Sequence, residues 1–492
     1  MSALCAVPAS ADPERDDRVR YADAANAVDG SYLVTFKASL PEDSARRRSL
    51  VKHYEGKIAH VYREALNGYA IKASADDAER LAADPAVASV VQNRTFSITA
   101  TQTDPLSWGL DRIDQKSLPL DTRYRYSNKA GANATVYVLD TGVRITHREF
   151  AGRASYGYDA IDNDLSAPDG HGHGTHVAGT IAGVSAGVAK KAKIVAVRVL
   201  DKSGSGTTAQ VIAGIDWVIG HAVRPAVIHM SLGGPADTML DATVRKAVAA
   251  GIPVVAAAGN ESRDAAGSSP ARVSEAITVG ATDRFDARAG YSNYGAALDL
   301  FAPGSSITSA YHSSDSASAT SSGTSMAAPH VSGAAALFLA ENPSATPAQV
   351  ASALKNSAFV GAVSGAGQGS PNRLLKAPGP VYRNATDFAI RDHSTTESPI
   401  SVSGEPGKAS TTLGAEVHIR HTYIGDLQVK LIAPDGTQYM LKRFGTGGSS
   451  DNIDTTHTVN ASSESASGTW RLRVTDSASF DTGKIDSWAV RL

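Results

Sequence analysis

The sequence predicts a doubly wound α/β domain with a mostly parallel sheet, preceded by a ferredoxin-like α+β module and followed by an all-β sandwich. The first observation is that short apolar runs alternate with helix patterns between residues 134 and 258, as in strands joined by crossover helices. The second is a βαββαβ order of patterns within residues 31–98. The third is the period-two alternation within residues 385–492, with turns between the runs. A chain of 492 residues is long enough for domains of this kind.

Composition excludes several classes of function. A net charge of −2 offers no basic excess for nucleic acid, and no apolar run reaches the ~20 residues that cross a membrane. We therefore expect no nucleic-acid partner and no membrane partner. Cys5 is the only cysteine, so an intramolecular disulfide is impossible. We expect the protein to be a monomer.

Residues 1–11 resemble the end of a secretory signal peptide that is truncated at its start. Small residues stand in an A-x-A arrangement at Ala9 and Ala11, and polar Asp12 follows. An ordinary disordered terminus is the alternative. If these residues are a signal peptide, the protein is secreted to the extracellular space. Residues 12–30 are charged and show no pattern, which predicts a linker.

The first predicted module covers residues 31–99. Residues 32–36 alternate as a strand does, residues 66–68 (Leu-Asn-Gly) mark a hairpin, and residues 88–98 form the last strand. Considered alone, this module fits a ligand-binding regulatory domain.

The central domain is predicted from residue 108 onward. Its apolar runs and helix patterns alternate, and they cover residues 134–139, 173–182, 193–199, 207–221, 226–230, 241–250 and 253–258. Sites in doubly wound sheets lie at the carboxyl ends of strands. Asp140 and Asn260 follow two of the apolar runs, so both are candidate site residues. An asparagine in a turn is the alternative for Asn260.

A helix pattern rich in small residues starts directly after Gly323, and the serine-rich residues 313–322 before it are predicted to be a loop. Ser325 lies in the first turn of this helix, where backbone N–H groups lack partners and the helix dipole is positive. These features suit a nucleophilic serine, because the oxyanion of acyl transfer needs such donors. A plain helix N-cap is the alternative. Pro329 argues against it, since a proline inside a helix costs about 3 kcal/mol unless its geometry is needed.

Three histidines lie within residues 171–176. The spacing of His171, His173 and His176 fits a zinc site, but zinc needs a further ligand and no cysteine is close in sequence. The second interpretation is a general base at the start of a helix. The glycines around His173 would let a substrate approach its ring closely.

Three short motifs, taken in order, resemble the signatures of subtilisin-like serine proteases. They are residues 140–142 (DTG), 173–179 (HGTHVAG) and 323–329 (GTSMAAP). The likeness covers roughly residues 108–377 and includes details of the proteinase K and aqualysin branch. It implies a serine endopeptidase in which Ser325 attacks the peptide carbonyl, His173 acts as general base and Asp140 holds the histidine tautomer. Asn260 would be the side-chain donor of the oxyanion hole.

The resemblance also implies that an extended peptide is bound as an added strand between two glycine-rich edges. The first edge is Gly204, Ser205 and Gly206, and the second is Ser231, Leu232, Gly233 and Gly234. Ordinary loop glycines are the alternative. Binding through the main chain depends little on the side chains of the substrate. We therefore expect broad specificity, with a preference for apolar or aromatic residues.

The flanking modules take their functions from the same resemblance. Residues 31–99 resemble the inhibitor-type propeptide of these proteases, which implies a self-processing zymogen inhibited by its own propeptide, with polypeptides as substrates. The catalytic domain then spans residues 100–377, a linker residues 378–384, and the sandwich residues 385–492. The sandwich resembles the P domain of proprotein convertases. Residues 357–380, rich in alanine, glycine and serine, are predicted to be loop and linker.

Two alternatives to a broad protease follow from these motifs. A convertase that cleaves after basic residues needs several carboxylates around the arginine side chain, and the segment after Gly234 supplies only Asp237. The other alternative is an inactive protease-like binding protein. Against this alternative, every position that the motifs assign to catalysis carries the residue that catalysis needs.

The resemblance implies no organic cofactor but does imply a structural calcium ion. Asp299 resembles the carboxylate ligand of the family, and the carbonyl groups of Ser274 and Ala276 would complete the site. The residues around Ser274 match the family pattern only loosely.

Overall fold

The computed structural model describes most of the chain and divides it into two compact units. The described residues are 19–20, 27–37, 40, 45–62, 66–97, 101–102, 107–120, 122–126, 129–379, 381–384, 387–402, 407–410 and 412–491. The first unit contains the described residues up to Tyr124 and Lys129–Ala377, and the second contains those within residues 125–128 and 378–492. The segment predicted to be a signal peptide lies outside the described residues.

The first module combines five strands and two helices. They are β1 (Val19–Arg20), β2 (Ala27–Phe36), α1 (Ala45–His53), β3 (Lys57–Tyr62), β4 (Gly68–Lys72), α2 (Ala75–Ala82) and β5 (Val87–Ser97). The sheet order is β1-β5-β2-β4-β3, and the elements from β2 to β5 confirm the predicted βαββαβ order. β1 lies parallel to β5, with Val19 opposite Val90. The prediction of a linker over residues 12–30 is therefore wrong at this strand, whose partner lies far along the chain.

The central domain confirms the α/β class. Its elements in chain order are β6 (Thr101–Gln102), α3 (Gly109–Arg112), β7 (Thr135–Asp140), β8 (Ala154–Asp159), α4 (His173–Ala182), β9 (Lys193–Arg198), β10 (Ser205–Thr207), α5 (Thr208–His221), β11 (Ala226–Met230), β12 (Gly234–Pro235), α6 (Thr238–Ala249), β13 (Val254–Ala257), β14 (Ser268–Ser269), β15 (Ile277–Thr282), β16 (Leu300–Pro303), β17 (Ile307–Ala310), β18 (Ser318–Ser322), α7 (Thr324–Glu341), α8 (Pro347–Ser357), β19 (Phe359–Val360) and β20 (Arg373–Leu374). The main sheet has the order β19-β20-β16-β15-β13-β11-β7-β9-β8. Every pair in it is parallel except β19 with β20.

Two segments that were predicted to be loops contribute strands. β18, within the serine-rich run, pairs with β17 so that Thr320 lies opposite Thr308. β19 and β20, within residues 357–380, extend the edge of the main sheet. Small residues form strands where a partner satisfies their backbone groups, and a local pattern does not reveal that partner.

α7 is the central helix of this domain. All of its residues except Phe338 and Glu341 are buried, and it packs against α4 and against β11, β13 and β15. Close packing requires small side chains here: a Cβ atom on Gly333 would lie 2.5 Å from the Cβ of Val188. The tight packing holds the first turn of the helix, which carries Ser325, in a fixed position.

The second unit is an antiparallel sandwich of two sheets. Its strands are β21 (Val381–Asn384), β22 (Phe388–Ile390), β23 (Thr395–Val402), β24 (Leu413–His421), β25 (Leu427–Ile432), β26 (Gln438–Lys442), β27 (Ile453–Val459), β28 (Gly468–Asp476) and β29 (Gly483–Arg491). One sheet has the order β21-β29-β24-β27, with β22 also on β29, and the other has the order β23-β28-β25-β26. Trp470 and Trp488 are fully buried in the core. β21 lies within residues 378–384, so the prediction of a linker there is wrong. Across the described part of the chain, no helix has the length and apolar character needed to cross a membrane.

Candidate active site

Asp140 and His173 form a buried hydrogen-bonded pair. Asp140 ends β7, and His173 begins α4. His173 Nδ1 lies 2.8 Å from Asp140 Oδ1 and 3.0 Å from Oδ2, and the side chains are 2% and 0% exposed. A carboxylate can only accept, so Nδ1 carries the proton and Nε2 is the basic nitrogen of the neutral ring. The ring is thereby prepared to take a proton at Nε2.

Asp169 organises the loop before His173, and the sequence motifs did not single it out. Its Oδ1 accepts hydrogen bonds from the N–H groups of His171 and Gly172 at 2.9 and 2.7 Å and from Thr141 Oγ1 at 2.9 Å. Thr141 Oγ1 in turn accepts from the N–H of Gly174 at 3.0 Å. One carboxylate thus ties the loop after β7 to the start of α4. An aspartate directly before a run of alternating glycine and histidine is the signal that could have found it.

Ser325 is the second residue of α7, and α7 packs against α4, whose first residue is His173. The Ser325 backbone N–H lies in the first turn, where the helix itself supplies no acceptor. Ser325 Oγ donates to the carbonyl oxygen of Ser231 at 3.1 Å, and Ser231 Oγ donates back to the carbonyl oxygen of Ser325 at 2.8 Å. The structure shows no hydrogen bond between Ser325 Oγ and His173 Nε2. Catalytic hydrogen bonds are often absent before substrate binds.

Asn260 lies next to the start of α7. Its Oδ1 accepts from Thr324 N–H at 2.8 Å and from Thr324 Oγ1 at 3.0 Å. Thr324 Oγ1 also accepts from the Gly259 N–H at 3.1 Å. These bonds identify Oδ1 as the acceptor end of the carboxamide and Nδ2 as its donor end. The threonine before Ser325 therefore orients the asparagine, a role that the sequence did not reveal.

The first predicted substrate edge carries an added strand in this structure. β10 (Ser205–Thr207) pairs antiparallel with β5 of the first module, so that Ser205 lies opposite Ser97 and Gly206 opposite Phe96. Glycine is required at position 206, because a Cβ atom there would lie 2.2 Å from the carbonyl oxygen of Val199. Gly204 forms the turn before the strand, with a φ of +77°. The end of the first module thus occupies this edge as an extended peptide.

The second predicted edge lines a narrow pocket beside Ser325. Ser231 follows β11 and exchanges hydrogen bonds with Ser325, and Leu232, Gly233 and Gly234 line the pocket. The rest of the lining includes Ala257, Ala258, Gly259, Ala271, Glu261 and Arg263. Among the described residues that line the pocket, Glu261 is the only carboxylate. Its Oε2 accepts from Asn293 Nδ2 at 2.7 Å and lies 3.6 Å from Arg263 Nε.

A further strand, which the sequence did not predict, lies on β18, the strand that ends three residues before Ser325. β6 (Thr101–Gln102) pairs antiparallel with β18, Thr101 opposite Ser322 and Gln102 opposite Ser321. The chain is therefore held as a strand on β10 up to residue 97 and on β18 from residue 101. Residues 98–100, between the two strands, lie outside the described residues.

The other histidines do not converge on a metal. His176 is buried, and its Nε2 lies 3.0 Å from the carbonyl oxygen of Ile307 and 3.2 Å from that of Ala319. Burial lowers the pKa of His176 to about 4, so its ring is neutral. Burial likewise lowers the pKa of His171, whose ring centroid lies 6.5 Å from that of His173. Within the described ranges, no three or more His, Cys, Asp or Glu side chains are grouped so that they could hold a metal ion.

Asp299 is engaged by protein donors at both carboxylate oxygens. Its Oδ2 accepts from the Thr278 N–H at 2.9 Å, and its Oδ1 lies 2.9 Å from Lys355 Nζ. Calcium requires six to eight oxygen ligands. As arranged, with a lysine ammonium on the carboxylate, these residues do not fit a calcium ion.

Three family models match the chain. The subtilase family matches residues 131–394, the proprotein convertase P-domain residues 410–492, and peptidase inhibitor I9 residues 31–99. Along the chain, the three matches follow the order of first module, catalytic domain and sandwich that the sequence motifs indicated.

Similar proteins agree with these matches. The chain is 50% identical over 376 residues to the extracellular serine proteinase of Thermus sp. (strain Rt41A), covering 72% of this chain and 91% of the relative. It is 45% identical to alkaline serine exoprotease A of Vibrio alginolyticus, covering 71% of this chain and 67% of the relative. It is 40% identical to the cuticle-degrading serine protease of Arthrobotrys oligospora, covering 73% and 92%. A crystal structure of a cold-adapted subtilisin-like serine proteinase is similar with a TM-score of 0.54 and 51% identity, covering 55% of this chain and 98% of that one.

Proposed function

This chain belongs to the subtilase family, and on that premise we propose that it is a secreted serine endopeptidase that hydrolyses peptide bonds through an acyl-enzyme at Ser325. The observation that carries the proposal is the buried pair of His173 and Asp140, which makes Nε2 the basic nitrogen. Secretion is supported by a relative named as extracellular. We expect polypeptides as substrates and a monomeric enzyme.

In the proposed mechanism, Ser325 Oγ leaves the carbonyl oxygen of Ser231 and donates to His173 Nε2. Its attack on the peptide carbonyl transfers the proton to His173, which then protonates the leaving amine. Asp140 stabilises the imidazolium and keeps the proton of the neutral ring on Nδ1. The Ser325 N–H and Asn260 Nδ2 stabilise the oxyanion, and water then attacks the acyl-enzyme with His173 as base.

Substrate binding follows from the two edges. An extended peptide would lie between β10 and residues 231–233 and hydrogen-bond through its main chain, as β5 does on β10. The pocket that receives the side chain before the scissile bond is lined by Leu232, Ala257 and Ala271, which favours apolar or aromatic groups. Its one carboxylate, Glu261, is already paired with Asn293 and Arg263. This argues against the convertase alternative, since a buried arginine side chain needs carboxylates of its own.

The specificity can be tested with peptides that differ only at the residue before the scissile bond. We expect kcat/KM for phenylalanine or leucine to exceed that for a Lys-Arg peptide by roughly 10–200-fold, the range that one pocket contact commonly provides. The measurement is release of a chromogenic leaving group by the purified mature protein. A preference for the dibasic peptide would favour the convertase alternative. If none of the peptides were hydrolysed, the proposal that this chain is a protease would be refuted.

We also propose that the zymogen cleaves itself close to Thr99–Ala100. The chain lies as a strand on β10 up to residue 97 and on β18 from residue 101, which supports a cleavage site between these two strands. The mature enzyme would then begin near Ala100. N-terminal sequencing of the mature protein tests this, and a start more than about five residues away would contradict it, since each residue of an extended chain spans ~3.3 Å.

A further inference from the structure

The geometry points to Lys355 as a built-in cation that takes the place of the calcium ion expected at Asp299, so that this part of the catalytic domain neither binds nor needs calcium. In this chain, the ammonium group of Lys355 is paired with the Asp299 carboxylate, which the family resemblance assigns to a metal ion. The inference concerns metal dependence and does not rest on the proposed catalytic mechanism.

Two hydrogen bonds with Thr278 hold Asp299 in place independently of Lys355. Asp299 precedes β16, and its N–H donates to the carbonyl oxygen of Thr278 at 2.9 Å. Its Oδ2 accepts from the Thr278 N–H, also at 2.9 Å. These two bonds clamp Asp299 to β15 and direct Oδ1 outward from that strand. With the side chain only 15% exposed, Oδ1 needs a cation or a strong donor.

Lys355 supplies that cation from a well-anchored helix. α8 begins with a capping box formed by Thr346 and Gln349, and its Val350 and Leu354 are buried. Lys355 lies in the last turn, where the helix dipole favours positive charge. Its Nζ lies 2.9 Å from Asp299 Oδ1, and its side chain is 31% exposed. The ion pair is therefore partly withdrawn from water and joins α8 to the loop between β15 and β16.

The carboxylate next to Ser274 is already paired with another cation. Ser274 Oγ donates to Glu275 Oε2 at 3.0 Å, and Glu275 pairs with Arg245 at 3.2 Å, so this neighbouring carboxylate faces another cation. Of the residues predicted to hold the ion, Asp299 is the one with a carboxylate, and that carboxylate already has a positive partner. A divalent ion brought to Oδ1 would be repelled by the ammonium of Lys355.

The test compares Lys355→Leu with Lys355→Arg in the full-length Ser325→Ala chain, which prevents autolysis. Bound calcium is counted by elemental analysis after dialysis, and Tm is measured with calcium and with chelator. We expect Lys355→Leu to bind one more calcium ion per chain than the parent. Its Tm should rise by roughly 5 °C when free calcium is about a hundredfold above the dissociation constant. Lys355→Arg, which keeps the charge, should bind no more than the parent. No gain in Lys355→Leu would overturn the inference.

A second variant keeps the test decisive if Lys355→Leu does not fold. Asp299→Asn in the same background should bind as many calcium ions as the parent, because the parent holds none at this carboxylate. The loss of one bound ion in Asp299→Asn would show that calcium does bind there and would refute the inference.

Discussion

Replacing Ser325 by alanine is expected to lower the turnover of peptide substrates by roughly 10⁶-fold, the loss typical of removing the nucleophile from a Ser-His-Asp triad. Release of the propeptide should stop as well, because the same hydroxyl would cleave both kinds of bond. The oxyanion donor at the Ser325 backbone N–H is retained, so the variant isolates the nucleophile. The fold should be nearly unaffected, since the change removes one hydrogen bond, to Ser231, worth about 1 kcal/mol.

The measurement combines kcat on a chromogenic peptide, the mass of the purified chain and a thermal melt. Ser316→Ala is the control: this serine lies in the serine-rich segment before α7 and is exposed. It should retain normal activity and processing. A Ser325→Ala chain that still processes itself, with no other protease present, would show that the nucleophile lies elsewhere.

Replacing Asp140 by asparagine should lower kcat by about 10⁴-fold while leaving the fold intact. Asp140 Oδ1 accepts the Thr141 N–H at 2.8 Å, which would hold the amide oxygen of asparagine at the same place. The new NH₂ group would then face His173 Nδ1, which now lies 3.0 Å from Oδ2. An NH₂ group cannot accept the Nδ1 proton as Oδ2 does, and it favours the tautomer that carries the ring proton on Nε2, where it blocks proton abstraction from Ser325.

Kinetics on the precursor and on enzyme processed in trans would separate this effect from failed maturation. Asp162→Asn serves as the control, because that carboxylate is 64% exposed and pairs with Arg198 outside the site. It should change kcat less than about twofold, as surface substitutions commonly do. If Asp140→Asn lost less than about tenfold in kcat, orientation of His173 by Asp140 would not be a major part of catalysis.

The sequence identified elements whose signal is local. α4 begins and ends as the pattern predicted, β11 does so too, and α6 starts three residues earlier because Asp237 caps it. Apolar runs and helix periodicity arise from which side chains a single element buries, so they are visible without a partner. The same holds for the motifs around Asp140, His173 and Ser325, whose residue types were readable directly.

Partnerships between distant residues were decided by the tertiary structure. β18 in the serine-rich run and β21 in the presumed linker became strands because β17 and β29 satisfy their backbone groups. A short polar strand has little preference of its own, so its state depends on a neighbour that the local pattern does not contain.

What the sequence by itself determined is the family-like motifs, the order of the modules and the residue types available for acyl transfer. Only the tertiary structure decided that Thr324 orients Asn260, that Asp169 ties the histidine loop to β7, and that Lys355 reaches Asp299. Asp299 was expected to hold a metal because its own motif is intact. The charge that changes this expectation comes from α8, more than fifty residues along the chain, and the strength of an electrostatic contact depends on distance and burial, which no local pattern records.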